Sequence, residues 1–367
     1  MSLFWKEQLS KVIDYITRQK RPGVIILVTG SAMVVRNVWN FVFTGTFRGE
    51  SLSVGTAEGN VVSDYIVPII GLLLILAGSS LLIMGERQAH KQNSRKRILL
   101  VTGNGLRTTT GTGLDKAAQA VLKGMIQPQE IDITQRIRDG VVIEPKMTFL
   151  RQILPAKDNI TQSLSSGDKE MMQVAYGGFL PVPFTFFLGN VLDDKSDVTV
   201  FDWDRKDEKW RHISINHVDD EENFISETIC IPHSDEIVLV ISFSYRVNID
   251  QVVNSFPGLG IEHLYLENNK FDNHWSLAKQ RRLSMEFAER VKMYTGMGIQ
   301  TIHLIMSAQS SVVLNFGRRY DSRNMSDIIV YQFEQSNSDP YPWGVYGLSH
   351  RHENSGFATR KKEKIEA

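Results

Sequence analysis

Twenty consecutive residues, Tyr65 to Met84, carry no charged side chain. A helix needs ~20 apolar residues to cross the hydrocarbon core of a bilayer, and helical geometry satisfies the backbone polar groups that lipid cannot. A buried helix of a soluble domain is ordinarily shorter and keeps a polar edge. The run therefore predicts a membrane span over 65–84, and a chain tied to a membrane must divide into segments that face lipid and segments that face water.

A weaker apolar stretch runs from Gly23 to Phe43, with Arg36, Asn37 and Asn40 interrupting it. A charged side chain near the middle of a span costs at least ~2.5 kcal/mol, and less towards the interface. Read with 65–84, the stretch predicts a pair of spans joined by a short external loop. Lys6, Lys11, Arg18, Lys20 and Arg21 precede the pair and Arg87, Lys91, Arg95, Lys96 and Arg97 follow it, while residues 44–64 hold only Arg48. The positive-inside rule then places both termini in the cytoplasm and the loop between the spans outside. Residues 1–22 read either as an amphipathic helix on the inner face or as a cytoplasmic extension of the first span. Gly71, Gly78 and Gly85 recur every seven residues as a stripe where helices can approach. Arg36 and Asp64 fall at the outer side, as an ion pair or with Arg36 snorkelling to the interface.

Residues 1–97 carry twelve Lys and Arg against six Asp and Glu; with 41 of each in the chain, the remainder carries twenty-nine against thirty-five. A water-facing part with a net charge of −6 is no general binder of DNA or long RNA, so any nucleotide must meet a local cluster of donors. One cysteine, Cys230, excludes an internal disulfide and a multi-cysteine zinc site.

After a basic linker over 86–97, short apolar runs at Ile98–Thr102, Val198–Phe201, Ile237–Phe243, Thr301–Met306 and Asp327–Phe333 alternate with helical stretches such as Leu277–Met293 and Val312–Tyr320. Strands alternating with helices predict parallel sheets with crossover connections. The fold class expected is α/β, with two Rossmann-like halves over 98–350, ligand binding at the C-terminal strand edges, and a charged tail over 351–367.

Gly103-Asn-Gly105 lacks the third glycine of a dinucleotide fingerprint, position 108 being threonine, and no phosphate-binding P-loop or Gly-x-Ser-x-Gly elbow occurs. Asp219-Asp-Glu-Glu222 reads as a solvated turn before it reads as a metal site, and His303 as a satisfied core histidine. No catalytic constellation emerges, and no metal or cofactor is expected. The chain reads as a binding module that controls something else.

Four stretches together resemble the SAVED family of cyclic-oligonucleotide sensor domains from bacterial anti-phage signalling: Ile98–Arg107, Val174–Gly189, Glu236–Tyr245 and Thr301–Phe333. Tyr176-Gly-Gly before Pro181-Val-Pro-Phe184 is the most specific of them. The resemblance implies two fused CARF-like halves that clamp a cyclic di-, tri- or tetranucleotide made by a cognate nucleotidyltransferase. It also implies homo-oligomerisation on binding. With membrane spans where a nuclease would otherwise stand, the implied output is disruption of the bilayer, as in the transmembrane effectors of cyclic-oligonucleotide-based anti-phage systems (CBASS). The alternatives are a CRISPR-linked oligoadenylate sensor and a membrane-tethered nucleotide-processing enzyme. Phosphates would meet Thr102, Gly103, Asn104 and Gly105 and the turn Ser307, Ala308, Gln309, Ser310 and Ser311, with Arg107 or Arg318 for charge. Tyr176, Phe179, Tyr245 and Phe333 are the candidate faces for stacking bases.

Overall fold

The computed structural model describes residues 22–34, 43–47, 50–54, 66–93, 96–106, 113–166, 171–193, 197–231, 234–268, 270, 272–348 and 356–360. The expected segment 1–22 (Pro22 apart), Arg36, Asp64 and Arg107 lie outside them. The chain divides into two compact units, Met1–Ser94 and Arg95–Ala367.

In the first unit, helix α1 (Pro22–Val34) is followed by a two-stranded antiparallel hairpin, β1 (Phe43–Phe47) and β2 (Glu50–Val54), and by helix α2 (Val67–Asn93). Phe43, expected to end the first span, opens a strand instead. Among the described residues one helical stretch, Val67–Gln88, is long and apolar enough to cross a membrane; the apolar part of α1, Gly23–Val34, is shorter than a span. Beyond Met84 the expected basic linker continues α2 in helical form through Asn93, and strand structure starts at Arg97.

The two helices lie antiparallel, with two pairs of glycines at their contact. A Cβ on Gly30 would stand 2.6 Å from the Gly71 carbonyl oxygen, one on Gly71 2.8 Å from the Gly30 oxygen, and one on Gly78 2.7 Å from the Leu27 amide nitrogen. Backbone meets backbone, so only glycine fits. Gly71 and Gly78 of the predicted stripe are thus consumed within the chain, whereas Gly85 faces open space.

The second unit holds two α/β halves. The first runs through β3 (Arg97–Asn104), α3 (Leu114–Val121), β4 (Met125–Asp132), a small hairpin of β5 (Ile137–Arg138) and β6 (Val141–Val142), and α4 (Pro145–Thr148). A π-helical turn, Phe149–Ile153, leads into α5 (Leu154–Ser166); then follow β7 (Met172–Gly178), α6 (Val182–Leu192), β8 (Val198–Asp204) and β9 (Lys209–His212). The second half comprises β10 (Ile225–Cys230), β11 (Glu236–Ser242), α7 (Ile249–Ser255), β12 (Gly260–Tyr265), α8 (Leu277–Gly296), β13 (Thr301–Ser307), α9 (Ser310–Arg319), β14 (Asp327–Tyr331), β15 (Trp343–Tyr346) and β16 (Phe357–Thr359). The expected charged tail therefore contributes an edge strand, and Arg360 lies over the Phe256 ring.

The sheets are ordered β4-β3-β7-β8-β9 and β10-β12-β11-β13-β14-β15-β16. Their parallel cores, β4-β3-β7-β8 and β12-β11-β13-β14, share one order, second–first–third–fourth. This is the doubly wound pattern in which the crevice opens between the first and third strands. Ile98–Val101 and Ile237–Ile241 are buried throughout, because a parallel strand covered on both faces must be apolar on both.

The halves join through α6 and α9, the helices that follow their third strands. A Cβ on Gly189 of α6 would collide with the Leu314 carbonyl oxygen, and one on Gly317 of α9 with the Phe186 carbonyl oxygen. Hydrogen bonds also cross the join: Asn190 Nδ2 donates to the Tyr320 carbonyl (2.7 Å) and Arg318 Nε to the Asp193 carbonyl (3.1 Å).

Asp219–Glu222 is solvated at Asp220 and Glu221, as expected, but half-buried at Asp219 and Glu222. Asp219 takes two hydrogen bonds from Arg282 (2.7 and 3.0 Å), while Asp220 and Glu222 both accept from buried Lys279 (2.6 and 2.9 Å), so the run clamps the first half of α8. No cluster of metal-ligating side chains is present among the described residues. His303 is the core histidine expected: Nδ1 meets the Tyr331 hydroxyl at 3.0 Å and Nε2 the Glu236 carboxylate at 2.9 Å, while burial pushes its pKa down.

Candidate nucleotide cleft

A cleft of about 410 Å³ opens where the C-terminal strand ends of both halves converge. The first half supplies Leu106 after β3, Phe179 and Leu180 after β7, Val182 and Thr185 of α6, and Asp202, Trp203 and Arg205 at the end of β8. From the second half come Asp272 and His274 between β12 and α8, Ala308–Ser310 in the turn after β13, and Val313 of α9.

Local backbone geometry builds this rim. Gly103 pairs with Gly178 in register, and there the Gly103 carbonyl accepts from Phe179 N–H (2.8 Å) while Leu106 N–H donates to the Phe179 carbonyl (2.8 Å). A side chain on Gly103 would run into Leu180, 2.7 Å away, and one on Gly105 would meet Ile133 and the Phe179 carbonyl. In the second half Ser242 pairs with Ser307, whose carbonyl accepts from the amides of Phe243 (2.9 Å) and Ser244 (3.0 Å), and whose hydroxyl accepts from Tyr245 N–H (3.3 Å).

The residues expected to bind ligand separate into three groups. Phe179, Ala308, Gln309 and Ser310 line the cleft, and Gly103 and Gly105 shape it. Thr102 is half-buried in β3, while Asn104 turns its amide to the Glu130 carboxylate (2.7 Å). Tyr176 is wholly buried, offers no face for stacking, and only its hydroxyl points to Ser310 Oγ (3.4 Å); burial lifts its pKa to about 12, the Ser310 contact opposing the shift. Ser307 is spent on the β11–β13 join, and Ser311 is buried. Tyr245, half exposed, and Phe333, which rests against Tyr341, are not among the lining residues. Arg318 sits in the last turn of α9, about 12 Å along the helix from its start, and caps α6 there.

Sequence reading missed Trp203, Arg205, Asp202, Asp272 and His274. Trp203 and Trp210 form an aromatic group with Phe179, at centroid distances of 6.4 and 5.1 Å from it. The Asp202 carboxylate, 6% exposed, accepts from its neighbour Trp203 N–H (2.8 Å) and, across the halves, from Ser311 N–H of α9 (3.0 Å). His274 Nε2 stands 3.8 Å from it. The Trp203-Asp204-Arg205 stretch following an apolar run was the one visible signal, since strand ends at a switch point are where ligands bind.

Two Rossmann-like halves sharing a cleft, on a chain that also carries a long exposed apolar helix, define a ligand-sensing module tied to a membrane-associated segment. The chain belongs to the SAVED family: residues 156–346 match the SMODS-associated and fused to various effectors sensor domain, and residues 3–149 match the SAVED-fused 2TM effector domain. The 2TM match ends at Phe149, where the π-helical turn begins, and the sensor match starts at Ala156, inside α5. No curated protein sequence matches the chain. Among solved structures it is similar to the Acinetobacter baumannii Cap4 SAVED/CARF-domain containing receptor with the cyclic trinucleotide 3'3'3'-cAAA, at 12% identity and a TM-score of 0.49, covering 78% of this chain and 60% of that one. The same receptor with 2'3'3'-cAAA gives 13% and 0.47, covering 76% and 55%, and the Moraxella osloensis Cap4 receptor 13% and 0.37, covering 64% and 48%. The chain thus spans less than two thirds of the length of these receptors.

Proposed function

We propose that this protein is a CBASS effector whose SAVED domain binds a cyclic oligonucleotide in the cleft between its halves and, on binding, assembles into oligomers that disrupt the inner membrane and abort infection. The observation that carries the reading is the cleft itself. It lies at the switch points of two sheets of one topology, combines an aromatic group with polar side chains, and belongs to a chain matching a 2TM effector family. Cyclic oligonucleotides offer flat bases and ribose hydroxyls, which such a wall accommodates by stacking and hydrogen bonding. The output assigned is non-enzymatic, with α1 and α2 as the membrane segments, both termini cytoplasmic, and the boundaries of the sensor near 98–350.

The test uses the full chain in detergent and in liposomes. Cyclic di-, tri- and tetranucleotides are screened by calorimetry, with light scattering for assembly and dye release for leakage. One ligand of the panel is expected to bind, enlarge the particle and release dye. Binding without assembly or leakage would sink the effector reading, and turnover of the ligand would favour the membrane-tethered enzyme.

A further inference from the structure

The first strand of the sensor begins close to the end of the apolar helix. Helix α2 runs past Met84 to Asn93, and β3 opens at Arg97. At 1.5 Å per residue, Gly85–Asn93 extends at most ~13 Å beyond the hydrocarbon core, and headgroups fill ~5–8 Å of that. The chain from Asn93 to Arg97 reaches up to ~14 Å when fully extended. This tether is long enough to return the start of β3 to the headgroups, and short enough to hold it within ~20 Å of them.

The fold gathers there what the chain keeps apart. Met125 pairs in register with Arg97, and Met125 N–H donates to the Lys96 carbonyl (2.8 Å), so the turn from α3 into β4 brings Lys123 beside Lys96 and Arg97. A Cβ on Gly124 would stand 2.7 Å from that same carbonyl oxygen, which shows how closely the two segments approach. Arg97 and Lys123 are exposed and Lys96 is half-buried. Val121, the last residue of α3, and Met125, 67% exposed, add apolar side chains beside these cations. Of the described residues just ahead of the four parallel strands, only Asp197 before β8 is acidic, two strands away from β3. Exposed cations interleaved with exposed apolar side chains suit the surface of an anionic bilayer. Each cation near it gains ~1 kcal/mol, and apolar tips enter the boundary between headgroups and acyl chains.

We propose that the edge formed by Lys96, Arg97, Val121, Lys123 and Met125 docks on anionic phospholipid headgroups of the cytoplasmic leaflet. The basic residues from Arg87 onward lead into this surface, and the fold completes it with Lys123 from a later segment. Strand β3 covers ~26 Å from this edge to its far end, so the docked sensor keeps the cleft off the lipid and open to the cytosol. The inference rests on α2 crossing the bilayer with its C-terminal end cytoplasmic.

The test uses the full chain in nanodiscs, with Cys230→Ser as background and an environment-sensitive fluorophore on Met125→Cys, Lys206→Cys or Met84→Cys. Lys206 lies in the turn at the C-terminal end of β8, on the opposite edge of the sheet. The discs are phosphatidylcholine alone or phosphatidylcholine with phosphatidylglycerol, with the same share of lipid carrying a headgroup nitroxide. The probe at 125 is expected to be quenched in the anionic discs at low salt and to brighten at high salt or in the neutral discs; the probe at 206 stays bright throughout. Lys123→Gln is expected to lower the ratio of docked to undocked sensor about fivefold. Equal quenching at 125 in the two kinds of disc, or at 125 and 206 in the anionic discs, overturns the proposal. So does an unquenched probe at 125, and the probe at 84 separates the causes: quenched there, only the docking falls, whereas an unquenched probe at 84 refutes the span itself. The comparison of lipids decides the matter even if Lys123→Gln does not fold.

Discussion

Gly189 and Gly317 occupy matching places in the two halves, and each lies under a carbonyl of the other's helix, Leu314 above Gly189 and Phe186 above Gly317. The pair sets the separation of α6 and α9, and so the width of the cleft that both helices border. Alanine at Gly317 would gain up to ~1 kcal/mol of helix propensity. It would also force a methyl into a backbone carbonyl that cannot rotate away, and overpacking of this kind costs ~1–3 kcal/mol. The clash prevails, so Gly317→Ala is expected to lower the thermal midpoint of the sensor domain. An unchanged or raised midpoint would show that the helices can separate freely.

The same logic applies to the glycine pairs between α1 and α2. Gly71→Ile should drive these helices apart and suppress ligand-triggered dye release from liposomes, while Gly85→Ile, with open space around it, should leave release intact. Equal effects from both substitutions would sink the idea that the helix pair is the working unit in the membrane.

Lys279 is 1% exposed and answers two carboxylates, one of them, Glu222, 13% exposed. Lys279→Met would strand those charges. Removing one partner of a buried pair costs ~3–5 kcal/mol, and the half-solvated Asp220 argues for the low end, about 3 kcal/mol. Arg282→Met, at the more exposed Asp219 contact, should cost about 1 kcal/mol. Denaturant midpoints of the two variants test this order.

Burial holds the His263 pKa down at about 4 against an ordinary 6.5, with nearby Arg246 adding to the shift. The unfolded chain therefore takes up a proton below pH 6.5 that the folded one refuses until about 4. Stability from this group is complete above the upper value and lost as pH falls towards the lower one, by up to about 3 kcal/mol. Burial also lowers the pKa values of His303 and His212, which act in the same direction. His263→Gln keeps a hydrogen-bonding side chain beside the Ser242 hydroxyl, and its melting temperature should drop less than the wild type's between about pH 7 and about pH 5.

Trp203 and Phe179 form the apolar wall of the cleft, and a base stacked on an aromatic ring is worth ~1–3 kcal/mol. Trp203→Ala should weaken cyclic-oligonucleotide binding by about 5- to 150-fold with little loss of stability, Trp203 being only half-buried. Tyr176→Phe, which alters a buried hydroxyl behind the wall, should leave affinity nearly unchanged. Calorimetry on both separates a stacking wall from a packing effect.

The apolar runs of β3, β8, β11, β13 and β14 and the helical patterns of α8 and α9 were legible because a parallel strand or an amphipathic helix writes its surroundings into its own residues. Less legible were β4, whose Met125–Asp132 carries Pro128 and Glu130, and β10, mostly exposed at a sheet edge. Neighbours, not local pattern, make these segments strands. Of the expected site, Phe179 and Ala308–Ser310 line the cleft, whereas Gly103 and Gly105 only pack behind its lining residues Leu180 and Phe179. Tyr176 and Ser311 went inside because burial depends on what packs over a residue.

By itself the sequence determined that an uncharged run of membrane length is joined to an α/β sensor with a SAVED likeness, since charge, hydropathy and period are properties of the chain. Only the tertiary structure decided how those parts are used. The run from Tyr65 to Met84 contains two glycines that meet α1, and Asp202 of one half occupies the helix terminus of the other, 109 residues along the chain. Contacts between residues so far apart are set by how the sheets stack and the helices cross, and no local pattern encodes them.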